Sequence, residues 1–157
     1  MNLDLADRRV VMEPSPPGVG DAPRPSIRLS AATLHCTDAR ELAGFYAELT
    51  GGAVTAFNDV WAVVTGPGGR IEFQSVADFR SPTWPSGDTP IHMHLDFLVD
   101  DLQAAEAFAS TCGAARFDFQ PNADHCIVMR DPAGHPFCLT TWEDVAAETA
   151  STGAATG

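Results

Sequence analysis

The chain carries one order of signals twice, and this repeat restricts its fold more than any other feature. Asp38 and Phe45 recur as Asp101 and Phe108 at an offset of 63 residues, the helix-ending Gly52 as Gly113 at 61, and the turn residue Gly68 as Gly134 at 66. Strand character over 27–36 precedes a helix capped by Asp38, whose apolar residues Leu42, Phe45, Tyr46 and Leu49 fall at helical spacing. Short strands are predicted over 53–57, 61–65 and 70–76, with Gly66-Pro67-Gly68-Gly69 as a turn. The second copy has a strand over 91–99 and a helix over 101–112 with Leu102, Ala105, Phe108 and Ala109 on its buried side. Strands over 115–119, 125–130 and 136–142 complete it.

The expected fold class is therefore α+β, with two βαβββ units forming a curved mixed sheet around a cleft. The first unit is expected over 27–77, a Pro-rich linker over 78–90 and the second unit over 91–143. Pro14, Pro16, Pro17, Pro23 and Pro25 make 1–26 a flexible N-terminal arm, and the small-residue segment 144–157 a flexible tail.

Nine arginines and no lysine stand against 21 acidic residues, for a formal net charge of -12. This balance repels phosphate backbones and anionic lipid, so neither nucleic acid nor a membrane is an expected partner. No apolar run is long enough to span a bilayer, and the first residues lack the basic-then-apolar order of a secretory signal. A cytoplasmic protein is expected, with Cys36, Cys112, Cys126 and Cys138 as reduced core or site thiols, because no CxxC spacing is present.

Alternation along the second unit's first strand places His92, His94 and Asp96 on one face and Met93, Leu95 and Phe97 on the other. Three polar groups in line on an otherwise apolar strand point to a wet surface, since burial without partners is costly. In the same way Ala31, Thr33 and His35 share a face, as do Glu72 and Gln74, and Cys138, Thr140 and Trp142. His94, Glu72 and Cys138 offer donors for a divalent ion, helped by His35 or His92. The competing reading makes His94 and Glu72 a hydrogen-bonded pair and Cys138 a small apolar filler. His94, Glu72 and His92 are also candidates for proton transfer.

Other residues have more ordinary readings. His125 and His135 lie beside turns and suit solvent-facing or capping roles, and Asp131-Pro132-Ala133-Gly134 is what a tight turn requires. No oxyanion pocket accompanies Cys138 as a nucleophile, and there is no phosphate-cradling Gly-rich motif. Trp61, Phe57, Phe73, Trp84, Phe119 and Trp142 are shared between core packing and the wall of an apolar pocket.

Three segments carry a family resemblance: Asp38 through Phe45-Tyr46 to Gly51-Gly52; His94-Leu95-Asp96-Phe97-Leu98-Val99-Asp100-Asp101; and the run Arg130 to Leu139. Over roughly 28–143 the sequence resembles the glyoxalase, bleomycin-resistance and extradiol-dioxygenase superfamily, the vicinal oxygen chelate proteins, especially small glyoxalase-like members. The resemblance implies paired βαβββ units, dimerisation, and metal ligands from the first and last strands of each unit. Those positions fall on Ala31, Glu72, His94 and Cys138. Ala31 has no donor, and Cys138 stands where a carboxylate is usual. The resulting expectation is a metal-independent small-molecule binding protein of the antibiotic-sequestering kind, with no cofactor. The alternatives are a lyase, isomerase or dioxygenase using divalent Zn, Ni, Mn or Fe, and a dimeric structural or regulatory domain with a vestigial cleft. The expected partners are a small organic ligand, bound by His35, Glu72, Gln74, His92, His94, Asp96, Cys138 and Trp142, and a second copy in a homodimer.

Overall fold

A computed structural model describes residues 25–141. The expected N-terminal arm, save its last two residues, the tail and Trp142 lie outside the described residues. Strand β1 (Ala32–Cys36) leads into helix α1 (Ala39–Thr50), followed by β2 (Ala53–Phe57), β3 (Trp61–Gly66) and β4 (Gly69–Ser75). The same order returns as β5 (Leu95–Leu98), α2 (Leu102–Cys112), β6 (Ala115–Arg116), β7 (Cys126–Arg130) and β8 (Pro136–Thr140).

Each unit forms its own four-stranded mixed sheet, ordered β1-β4-β3-β2 in the first and β5-β8-β7-β6 in the second. In both, the first strand runs parallel to the last and the remaining pairs are antiparallel. The repeat in sequence is thus a repeat in topology.

The caps explain where the helices begin and end. The Asp38 carboxylate accepts from the backbone N–H groups of Arg40 and Glu41 at 2.9 and 3.0 Å, and Asp101 accepts from Ala104 at 2.9 Å. These bonds satisfy donors that the first helical turn leaves without partners. Gly51 and Gly113 close the helices in the left-handed region, at φ 67° and 110°. The stop in the first unit is therefore Gly51, one residue before the Gly52 that spacing suggests.

A single apolar core joins the units. Leu42, Ala43, Phe45 and Tyr46 of α1 pack with Phe73 of β4 and with Ile127, Met129, Phe137 and Leu139 of the second sheet. Tyr46 stacks on Phe73 at 5.3 Å and meets Phe97 and Phe137 at 6.0 and 6.3 Å between ring centroids. Its hydroxyl donates at 2.9 Å to Asp131, which is only 3% exposed. Asp131 also accepts from the N–H groups of Ala133 and His135 at 2.9 Å each, so it builds the expected turn and ties the units together. In that turn Gly134 has φ 95°, and a Cβ there would lie 2.9 Å from that of Ser81.

Several elements differ from expectation. Strand β5 starts at Leu95, so His92 and His94 precede it, and Phe108 is 49% exposed instead of buried. Only Ala109 of α2 is fully buried; Leu102 and Ala105 are partly buried against the core, and Phe108 borders an open cavity instead.

Candidate functional site

Because alternate strand residues face opposite sides of a sheet, burying Leu95 and Phe97 against the common core sends Asp96 to the other face. The same holds for β8: Phe137 and Leu139 enter the core, and Cys138 faces away with Cys126 and Val128 of β7. Asp96 and Cys138 are direct neighbours in the parallel β5–β8 ladder. His94 stands just before β5, with its Nε2 3.4 Å from Asp96 Oδ1.

His94, Asp96 and Cys138 consequently place one nitrogen, one carboxylate oxygen and one sulfur all within 4.8 Å of one another. They line a cavity of about 380 Å³, with Trp84, Pro121, Asn122 and Thr140 among its other walls. Trp84 comes from the segment between the units and packs on Phe117 and Phe119, at 5.2 and 5.4 Å between centroids. That segment is held to the second unit elsewhere too, since the Ser81 hydroxyl donates to the Ala133 carbonyl at 2.7 Å.

The donors differ in their surroundings. The side chains of His94 and Asp96 are 42% and 60% exposed, whereas the whole of Cys138 is 7% exposed. Burial drives the Cys138 thiol far above its ordinary range, reinforced by its hydrogen bond and charge interaction with Cys126 and by Asp96. The thiol is thus protonated at neutral pH, and serves as a ligand only by losing its proton to an incoming ion.

The donor set suits such an ion. Two first-row ligand atoms about 2.0–2.1 Å from a tetrahedral centre stand roughly 3.3–3.4 Å apart, which is the His94–Asp96 separation. Three protein donors of the N, O and S types that zinc accepts also leave coordination positions for substrate.

The remaining sequence candidates fall elsewhere. Glu72 lies on the outer face of the first sheet and takes part in three contacts there. Its carboxylate pairs with Arg70 at 2.6 Å and accepts from Trp61 Nε1 at 3.3 Å and from the Thr33 hydroxyl at 3.5 Å. It is not in the three-donor group, so the His94–Glu72–Cys138 set is not brought together within the described residues. His35 and Gln74 pair in register on the same outer face as Glu72. His92 is exposed and outside the group. The His135 ring donates through Nε2 to the His35 backbone carbonyl at 2.6 Å, beside Phe79.

Sequence reasoning placed Asp96 on the polar face but left it out of the metal set. The signal was present: Asp96 lies two residues from His94, and the repeat offset of 63 aligns it with Thr33, the register partner of Glu72. Cys126 reads from the sequence as no more than a reduced core or site thiol, and it falls on the cavity face of β7.

The chain matches the family model described as a glyoxalase-like domain over residues 31–140. No curated protein sequence matches it. Among solved structures, a variant of the fosfomycin resistance protein FosX from Listeria monocytogenes, complexed with Mn(II) and 1S,2S-dihydroxypropylphosphonic acid, superimposes with a TM-score of 0.58. It is 14% identical, and the match covers 74% of this chain and 90% of that one. FosX from Mesorhizobium loti gives 0.55 at 14% identity, covering 78% and 97%. A glyoxalase/bleomycin resistance protein/dioxygenase family enzyme from Burkholderia phytofirmans gives 0.55 at 17%, covering 70% and 94%. At these identities the likeness is one of fold. No helix among the described residues is long and apolar enough to cross a membrane.

Proposed function

The chain belongs to the glyoxalase-like domain family, and from that premise we propose that it is a divalent-metal-dependent enzyme of the vicinal oxygen chelate type, acting on a small organic molecule. The observation that carries this reading is the convergence of His94, Asp96 and Cys138 at the mouth of a cavity. It reverses the order in which the sequence alone ranks the two classes. Ala31 lacks a donor, which favoured metal-free binding, but Asp96 supplies within the second unit what the first does not. The Mn(II) complex of the Listeria relative supports the same class.

When bound, the ion would act as a Lewis acid that polarises substrate oxygens. The protein's own groups do the rest. His94, Asp96 and Cys138 hold the ion, and Trp84 with Val128 gives the substrate an apolar wall. No arginine among the described residues lines this cavity within one copy, and the protein is strongly acidic. The protein's acidity favours a neutral or cationic oxygen-bearing substrate, and the bound ion together with the Arg70 that pairs with Glu72 would supply the positive charge facing any anionic group. Glu72, on the outer face of the first sheet, is the candidate acid or base, brought to the site by a second copy in a homodimer.

Equilibrium dialysis against Zn, Ni, Mn and Fe under reducing conditions tests the proposal. One retained ion per chain is expected, lost in His94→Ala and Cys138→Ala. Retention of none of the four by folded wild-type protein would overturn it and return the site to metal-free binding.

A further inference from the structure

Cys126 is absorbed neither by the core nor by the three-donor group. With Cys138 and Val128 it forms a separate cluster under Trp84 and Phe117, and both thiols open onto the 380 Å³ cavity. The strand register explains their approach. Val128 is the direct partner of Cys138, and Cys126 that of Thr140, so the two cysteines are diagonal neighbours on one sheet face. The two thiols perturb each other's proton affinity, and Asp96 raises that of Cys138, as side chains that share one sheet face do. All four cysteines of the chain are free.

Two soft donors on one face of a solvent-connected cavity form an arrangement selective for thiophilic ions. Geometry separates this from a redox role. Diagonal antiparallel neighbours have Cα atoms about 7–8 Å apart, beyond the ~6.8 Å that a disulfide spans without backbone movement. An ion bridging two thiolates at about 2.3 Å each tolerates sulfurs nearly 4 Å apart. The register thus suits a bridging ion and resists a direct sulfur–sulfur bond.

We propose that Cys126 and Cys138 form a dithiolate clamp for a soft, thiophilic metal ion of the cadmium and mercury class. The clamp shares Cys138 with the divalent-metal site proposed above but does not depend on it, since its defining ligand is Cys126. Each thiol releases one proton to solvent as its sulfur binds, and no electrons move.

Cadmium is a suitable probe, because each cadmium–thiolate bond adds ultraviolet charge-transfer absorption. Titration in a Cys112→Ser background, which removes the remaining half-accessible thiol, is expected to give one ion and the absorption of two thiolates. Cys126→Ser should halve the absorption and weaken cadmium at least tenfold, while leaving retention of manganese, a hard ion, unchanged. Far-ultraviolet circular dichroism and Cys126→Ala check that the fold is kept. One-thiolate absorption in the parent, or full absorption after Cys126→Ser, would overturn the clamp alone. A parent that binds cadmium nowhere also overturns it. Failure to retain any ion of the dialysis panel is a separate result that bears on the enzyme reading.

Discussion

Tyr46 and Asp131 are 85 positions apart and meet at 2.9 Å in the shared core, so one hydrogen bond reports on the join between the units. Tyr46→Phe leaves a buried carboxylate oxygen short of its donor, and a loss of roughly 1–3 kcal/mol is expected in urea unfolding. Asp131 adds a pH dependence. Burial raises its carboxyl above 3.8, against the opposing pull of His135, the Tyr46 hydroxyl and two backbone N–H groups. A carboxyl raised in the folded state contributes its full stabilisation below the unfolded value of 3.8 and loses it as pH climbs through the folded value. Asp131→Asn keeps the acceptor for Ala133 and His135 and cannot ionise. The variant should therefore gain on wild type as pH is raised from 3.8 upward, in unfolding curves measured across that range. A parallel pH profile for the two proteins would show that Asp131 ionises freely when folded. At this scale the sequence was partly legible. Asp-Pro-Ala-Gly announced a turn, but nothing local reveals that the same carboxylate receives a hydroxyl from another unit.

Among the elements, periodicity located every helix and strand of both units, because a 3.6-residue or two-residue repeat survives in the apolar pattern whatever the tertiary context. The ends were less legible for a physical reason. A strand extends only as far as it has a ladder partner, and β5 is paired with β8 from Leu95↔Phe137 to Leu98↔Thr140. The alternation of Ile91 to His94 therefore continues past the last pairing, and His94 sits at a strand entrance where its ring leans towards Asp96. Helix starts were better specified, since a carboxylate at the cap acts within its own segment. Asp38→Ala removes the bonds to Arg40 and Glu41 and should cost about 1 kcal/mol, as should Asp101→Ala, which removes the bond to Ala104. Thermal or urea unfolding of both variants provides the measurement. Equal losses would extend the repeat from topology to energetics.

At the scale of the whole molecule, both sheets turn their inner residues to one common core, so their outer faces cannot meet within the chain. One outer face carries His94, Asp96 and Cys138, and the other carries Glu72, Trp61, Gln74 and His35. The duplication was legible because each half repeats its punctuation. The side on which the halves join was not, because both faces of such strands contain apolar residues and only the packing of α1 and α2 decides. If Glu72 serves the site, it must come from a second copy in a symmetric pair, each copy giving one face and receiving the other. Sedimentation should then show a dimer, and Glu72→Gln and His94→Ala should each depress turnover once a substrate is found. Mixing the two variants offers a sharper result. After free exchange, about half of the dimers are mixed, and each mixed dimer has one doubly substituted site and one intact site, so roughly a quarter of wild-type activity returns. No recovery, with mixed dimers demonstrated by native mass spectrometry, would mean that Glu72 acts within its own chain or not at all. Recovery would assign the two halves of one site to two copies, and explain why the repeat keeps a carboxylate in one unit and a histidine in the other.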